Sequence, residues 1–256
     1  MKSVFSNFAT LCLLLWSACW PGFAGAQPDV TVFAAASLRD ALEEAVAVYP
    51  GEVAVSYGGS GQIARQVAQG APADVVILAN LAWMDWLEGQ GVLAPDGRVD
   101  LLSNRLVLIG PKGSAPIDTP NTENLLRRLA GGRLAIGQVD GVPAGIYGRQ
   151  WLEIAGFWPT LSPHLAQAEN VRAALLWVSR QETPLGIVYA SDAQADPSVD
   201  VIYDVPEGLH DVIIYPMAMV SGSNNAHASD FTMFLQGSRA REIFRFHGFL
   251  PQEGRK

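Results

Sequence analysis

The chain has 256 residues, 49% of them hydrophobic and 16% charged, with a formal net charge of −8. That length suits one large domain or two lobes, and the apolar share excludes a disordered chain. The acidic balance argues against a nucleic-acid binder, whose electrostatic footprint is basic.

The first 26 residues stand apart. Lys2 precedes an apolar run from Phe8 to Trp20, and Ala24-Gly25-Ala26 has the small-x-small form of a processing site. This pattern predicts a secretory signal peptide over 1–26, with the exported chain starting near Gln27. The apolar run is short for a bilayer-spanning anchor. A lipoprotein leader ending at Cys19 is the weaker alternative, because Trp16 stands where a small aliphatic residue belongs. Cys12 and Cys19, the two cysteines of the chain, both fall in this leader. The exported chain then has no thiol and no disulfide, and its fold rests on core burial.

Strand-like and helix-like stretches alternate from there. Val30–Phe33 predicts a strand, Leu38–Tyr49 a helix, Val53–Tyr57 a strand, Ile63–Gln69 a helix, Val75–Leu78 a strand and Trp83–Gly89 a helix. Such βαβ alternation predicts a parallel α/β sheet. Leu106–Pro111 is an apolar strand closed by Gly110-Pro111, after which the pattern restarts. Helices are expected over Thr122–Ala130, Gly145–Ala155 and Val171–Ser179, with strands over Arg133–Gly137 and Gly186–Tyr189. A last apolar strand, Val212–Pro216, precedes helices over Ala226–Gln236 and Ala240–Phe246. Two lobes joined by crossing strands fit this order, with 27–106 plus 217–256 in one lobe and 107–216 in the other. One continuous doubly wound sheet is the alternative.

Four segments put small, hydroxyl or amide residues directly before a helix start. They are Ala34-Ala35-Ala36-Ser37-Leu38-Arg39-Asp40, Tyr57-Gly58-Gly59-Ser60-Gly61-Gln62, Val142-Pro143-Ala144-Gly145-Ile146-Tyr147 and Ala168-Glu169-Asn170-Val171-Arg172. A helix start leaves backbone N–H groups unpaired and carries partial positive charge, so it attracts an anion. Small residues let that anion approach the backbone. Taken singly, each segment reads more simply: Ser37 and Asn170 as N-caps, Pro143 as a first-turn residue, the glycines as a tight turn. Several such starts meeting in one cleft would hold an anion without any lysine or arginine, whatever the net charge.

Longer motifs carry a resemblance. Val32-Phe33-Ala34-Ala35-Ala36-Ser37-Leu38, Ala64-Arg65-Gln66, Gly70-Ala71-Pro72-Ala73-Asp74-Val75 and Trp83-Met84-Asp85 lie in the first half. Gly131-Gly132-Arg133-Leu134-Ala135, Val142-Pro143-Ala144-Gly145-Ile146-Tyr147 and Pro184-Leu185-Gly186-Ile187-Val188-Tyr189 follow. From Asp29 to Leu250 the chain resembles the periplasmic molybdate-binding proteins of ABC importers. The resemblance implies a two-lobed α/β fold of the type II periplasmic-binding-protein kind, each lobe a mostly parallel sheet flanked by helices, with the ligand in the interlobe cleft. It implies a monomeric periplasmic binding protein, not an enzyme, without a cofactor. Its ligand would be molybdate or tungstate, and its partner a membrane permease with a cytoplasmic ATPase.

Matched motif to motif, the resemblance places the oxyanion on Ser37, Ser60, Ala144, Val171 and Tyr189, with molybdenum held as molybdate and no side chain coordinating the metal directly. Two departures stand out. Ser60 is isolated among glycines where a serine-rich run is common, and Asn170 stands where an aspartate is common. All five contacts donate hydrogen bonds, which suits a fully ionised dianion, whereas a protonated anion would want a carboxylate acceptor.

Two other readings stay open. One is a binding protein for sulfate or another tetrahedral oxyanion. The other is an exported serine hydrolase built on Ser60, although the G-x-S-x-G pattern fails at Gln62 and no spacing selects a base among His164, His210, His227 and His247. No His-x-x-x-His, cysteine cluster or calcium loop predicts a metal site.

Overall fold

Strand β1 (Val30–Ala35) leads through a 3-10 turn (Ala36–Leu38) into helix α1 (Arg39–Ala47). Strand β2 (Val53–Gly58), helix α2 (Ser60–Ala68), strand β3 (Val75–Ile77), helix α3 (Leu81–Gly89) and strand β4 (Val99–Ser103) follow. These belong to a computed structural model that describes residues 28–252 except 96 and 224. The expected leader, with both cysteines, lies outside the described residues.

The middle of the chain builds a second unit. It comprises β5 (Leu106–Pro111), α4 (Thr122–Leu129), β6 (Leu134–Gly137), α5 (Pro143–Ile154) and α6 (Trp158–Leu161). Then come β7 (Leu165–Ala168), α7 (Val171–Ser179), β8 (Leu185–Tyr189), α8 (Ala190–Ala195) and β9 (Val199–Asp204). The chain closes with β10 (Ile214–Met219), α9 (Ala226–Gln236), α10 (Ser238–Phe246) and β11 (Leu250–Pro251).

Two sheets result. The first has strand order β11-β4-β10-β3-β1-β2 and the second β7-β6-β8-β5-β9. The chain passes from the first sheet to the second between Ser103 and Leu106, and returns between Asp204 and Ile214. The return strand β10 thus lies wholly in the first sheet, and Ile214–Pro216 sit there rather than in the second unit. The sheets are mixed and not mostly parallel. β1 pairs in parallel with β2 and β3, and β6 with β7 and β8, but β4, β5 and β10 run antiparallel to their neighbours. A strand that carries the chain across to the other sheet, or back, enters it without a crossover helix, so it need not run parallel to its neighbours.

Alternation along the strands decides what each face covers. In β3, Val75 and Ile77 face the main core while Val76 points to the opposite side, where Ile63, Val67, Met84 and Leu87 of α2 and α3 cover it. On α1, Ala41, Leu42 and Ala45 recur at helical spacing and are buried in the main core. The same core takes in Tyr147 and Trp151 of α5 and Leu175 and Val178 of α7. The parallel strands β1, β6 and β8 all run into a helix or helical turn just past their carboxyl ends. Those ends are where open α/β sheets present their loops to a ligand.

Candidate functional site

A small cavity lies between the two lobes. It is far smaller than the roughly 300–1,000 Å3 of drug-sized ligand pockets, so it suits a small ion. Its walls are helix starts: Ala36 and Ser37 before α1, Gly59 and Ser60 at α2, Pro143 and Ala144 at α5, Asn170 and Val171 at α7, and Tyr189 before α8. Among the described residues no Lys, Arg, Asp, Glu or His lines it. The field inside is therefore set by converging helix N-termini, which favour negative charge without any cation.

All five sequence-predicted positions meet in this space, and each presents a donor. Ser37 is 1% exposed and does not cap a helix, contrary to the simple N-cap reading. Its Oγ instead lies 3.0 Å from the Tyr215 hydroxyl. Ser60 is equally buried; its Oγ accepts the Ala79 N–H at 3.0 Å, which leaves the serine's own hydrogen for the cavity. Ala144 and Val171 occupy the second and first positions of α5 and α7, and among the described residues neither N–H meets a protein acceptor. Asn170 caps α7 by accepting the Ala173 N–H at 3.0 Å, so its amide oxygen is engaged away from the cavity.

Tyr189 is the most telling of the five. It is 1% exposed, and its hydroxyl makes no hydrogen bond of good geometry, although the Tyr215 hydroxyl lies near enough to influence it. A buried polar group without a partner costs about 1–3 kcal/mol, and an orphan donor in a cavity wall points to an occupant. Burial, with smaller contributions from nearby tyrosines and Asp192, raises the Tyr189 pKa well above its usual value, so it stays protonated and donates.

The lobes meet around this cavity. The Trp83 indole N–H donates to the Gly141 carbonyl at 3.0 Å, and Asn80 Nδ2 donates to the Tyr147 hydroxyl at 3.3 Å. Arg172 of α7 reaches Asp40 of α1 at 2.6 Å and donates to the Ser37 carbonyl at 3.3 Å. Its Nε also pairs at 2.6 Å with Asp192, which is fully buried. Two glycines allow this approach: a Cβ on Gly59 would stand 2.6 Å from the Glu169 carbonyl oxygen, and one on Gly61 2.6 Å from that of Gly141. Within the second lobe, a Cβ on Gly145 would collide with the Gly137 carbonyl, so glycine there lets the start of α5 seat against the end of β6.

Sequence reasoning missed the residues behind these donors. Tyr215, Asn104, Arg172 and Trp83 act across long sequence separations, and Ser37 and Tyr215 are 178 positions apart. Asp74 of the Gly70–Val75 motif is structural: it accepts the Thr31 N–H at 2.8 Å and the Ser223 hydroxyl at 2.5 Å. The hydrolase alternative finds no base, since no histidine lines the cavity that holds Ser60. Among the described residues no group of three or more His, Cys, Asp or Glu is placed to hold a metal ion, and no helix is long and apolar enough to cross a membrane.

Comparison with known proteins agrees with this architecture. The family model described as bacterial extracellular solute-binding protein matches residues 30–250. The molybdate-binding protein ModA of Escherichia coli is 44% identical over 229 residues, covering 87% of this chain and 89% of the relative. That of Haemophilus influenzae is 35% identical over 236 residues, covering 89% and 92%. The periplasmic molybdate-binding protein of Azotobacter vinelandii shares the fold with a TM-score of 0.75 at 22% identity, covering 88% of this chain and 100% of that one.

Proposed function

The chain belongs to the family of bacterial extracellular solute-binding proteins, and from that premise we propose that it captures molybdate, and tungstate with it, for an ABC importer. The observation that carries this reading is the orphan Tyr189 hydroxyl in a neutral cavity of donors. In this reading Ser37 Oγ, Ser60 Oγ, Tyr189 OH and the N–H groups of Ala144 and Val171 bond the four oxygens of the dianion. At about 1.5–3 kcal/mol per charge-assisted bond, five donors reach the roughly −8 kcal/mol of a micromolar complex. A fully ionised dianion suits a site without acceptors, whereas hydrogen phosphate would leave its proton unpaired. What favours molybdate over sulfate is kinship with relatives named for it.

The protein acts as a carrier and not as an enzyme, monomeric and without a cofactor. It works in the periplasm after removal of its leader, and hands the ion to a membrane permease driven by a cytoplasmic ATPase. The first lobe carries β1–β4 with β10 and β11, and the second carries β5–β9.

A titration series tests the reading. Trp83 sits at the lobe contact, so tryptophan fluorescence reports closure when molybdate, tungstate, sulfate and phosphate are added in turn. Molybdate and tungstate should saturate the protein at micromolar levels or below, and phosphate should not compete. No response to either metal oxyanion at those levels would overturn the proposal. In the same assay Ser37→Ala should weaken binding by about 1.5–3 kcal/mol; an unchanged affinity would remove Ser37 from the ligand shell.

A further inference from the structure

The geometry points to Tyr215, backed by Asn104, as a positioning residue that sets the Ser37 hydroxyl as a donor toward the cavity. This rests on the proposed role of Ser37 as an oxyanion contact. A serine hydroxyl both donates and accepts, so in a site for a dianion its orientation matters. If Ser37 gave its hydrogen to Tyr215, its lone pairs would face the anion.

The neighbours favour one direction. Asn104 lies on the crossing from β4 to β5, and its Oδ1 accepts the Arg105 N–H at 2.9 Å. That bond fixes the amide with its Nδ2, a donor only, aimed at the Tyr215 hydroxyl at 3.3 Å and at Ser191 Oγ at 2.8 Å. The Tyr215 oxygen accepts from Asn104, and we assign its single hydrogen to Ser37 Oγ, 3.0 Å away, where either hydroxyl could donate. Ser37 thus has its acceptor side filled and its own hydrogen free for the cavity. Tyr215 has no exposed surface and Ser37 1%, so bulk water does not reach in to substitute for either partner. Burial, with the nearby Asp192, raises the Tyr215 pKa, which keeps the hydrogen on this relay at every physiological pH. Ser60 is held the same way, by the Ala79 N–H. Both serines therefore meet the ligand as donors.

Tyr215→Phe removes only the hydroxyl and keeps the ring that packs edge-on against Tyr189 and Phe249. A double-mutant cycle with Ser37→Ala, read by molybdate titration, separates orientation from general packing. We expect Tyr215→Phe to weaken molybdate binding about two- to tenfold, the worth of one neutral hydrogen bond, and to have no further effect in the Ser37→Ala background. Asn104→Ala should show the same pattern and carries the test if Tyr215→Phe does not fold. An equal loss in both backgrounds would mean that Tyr215 acts through packing, and an unchanged affinity would mean that it does not act at all; either overturns the relay. Failure of the wild-type chain to bind molybdate or tungstate would instead overturn the proposed function, and the relay with it.

Discussion

Gly61→Ala is expected to leave the protein folded while weakening oxyanion binding about 5- to 150-fold, the equivalent of the roughly 1–3 kcal/mol that overpacking costs. An added Cβ would stand 2.6 Å from the Gly141 carbonyl oxygen and 2.6 Å from Trp83 Cζ2. The carbonyl is backbone in the opposite lobe and is already the acceptor for the Trp83 indole. It cannot turn aside as a flexible side chain would. When the lobes part, the carbonyl leaves and Trp83 is released from its bond, so the cost falls on the closed form that encloses the ion. Gly59→Ala should act similarly through the Glu169 carbonyl oxygen, also 2.6 Å from an added Cβ. Molybdate titration together with ligand-free melting checks this: affinity falls while the melting temperature hardly moves. Wild-type affinity in Gly61→Ala would show that tight apposition of the lobes is not needed to hold the ion.

Arg172→Ala should cost more, at the level of folding. Arg172 joins Asp40, the Ser37 carbonyl and Asp192, and Asp192 has no exposed surface. Removing one partner of a buried pair costs about 3–5 kcal/mol, because the remaining charge is stranded. We expect the low end, since Asp192 keeps the Tyr189 N–H at 3.3 Å. The loss should depend on pH. Burial raises the Asp192 pKa, and Arg172 is the largest influence lowering it. Without Arg172 the folded chain holds the Asp192 proton more tightly than the unfolded chain, so stability falls as the pH rises above the ordinary aspartate range. The deficit against wild type then shrinks as the pH is lowered. Denaturant melts of both proteins across acid and neutral pH check this. A deficit that stays constant or grows toward acid would place its origin outside Asp192. Asp192→Asn in the Arg172→Ala background should restore part of the loss, because the carboxylate charge is gone.

Four of the five candidate donor positions were legible because their signals are local. Small residues ahead of a helix start, a cap at Asn170 and a proline at Pro143 can be read within a few residues of chain. The family motifs then chose among such starts and added Tyr189, which has no local signature. What holds the donors in place was not legible. Neither Tyr215, in an apolar strand, nor Arg172, just past a helix start, carries a local signal of its contacts. Their roles come from contacts between residues far apart in the chain, Tyr215 with Ser37 and Arg172 with Asp40. Ser37 shows the limit from the other side: its residue type predicts a cap, but tertiary structure gives its oxygen to Tyr215.

The fold was legible to a similar depth. The long periodic helices over 171–179 and 226–236 appear as expected. The missed strands β4, β7, β9 and β11 are short or interrupted by acids. In Val199–Asp204, Asp200 and Asp204 flank an edge strand, and Leu165–Ala168 has only four residues of low strand propensity. The mixed character of the sheets follows from where the chain crosses, a global property that no window of residues reports.

A crystal structure of the protein with tungstate, located by the anomalous signal of the metal, tests the central claim most directly. The account predicts one strong site inside the cavity between the lobes. Its oxygens should lie about 2.7–2.9 Å from Ser37 Oγ, Ser60 Oγ, Tyr189 OH and the nitrogens of Ala144 and Val171, the range of charge-assisted bonds. No lysine, arginine or histidine should reach the ion. A tungsten site elsewhere, or one that leaves the Tyr189 hydroxyl without a partner, would contradict it.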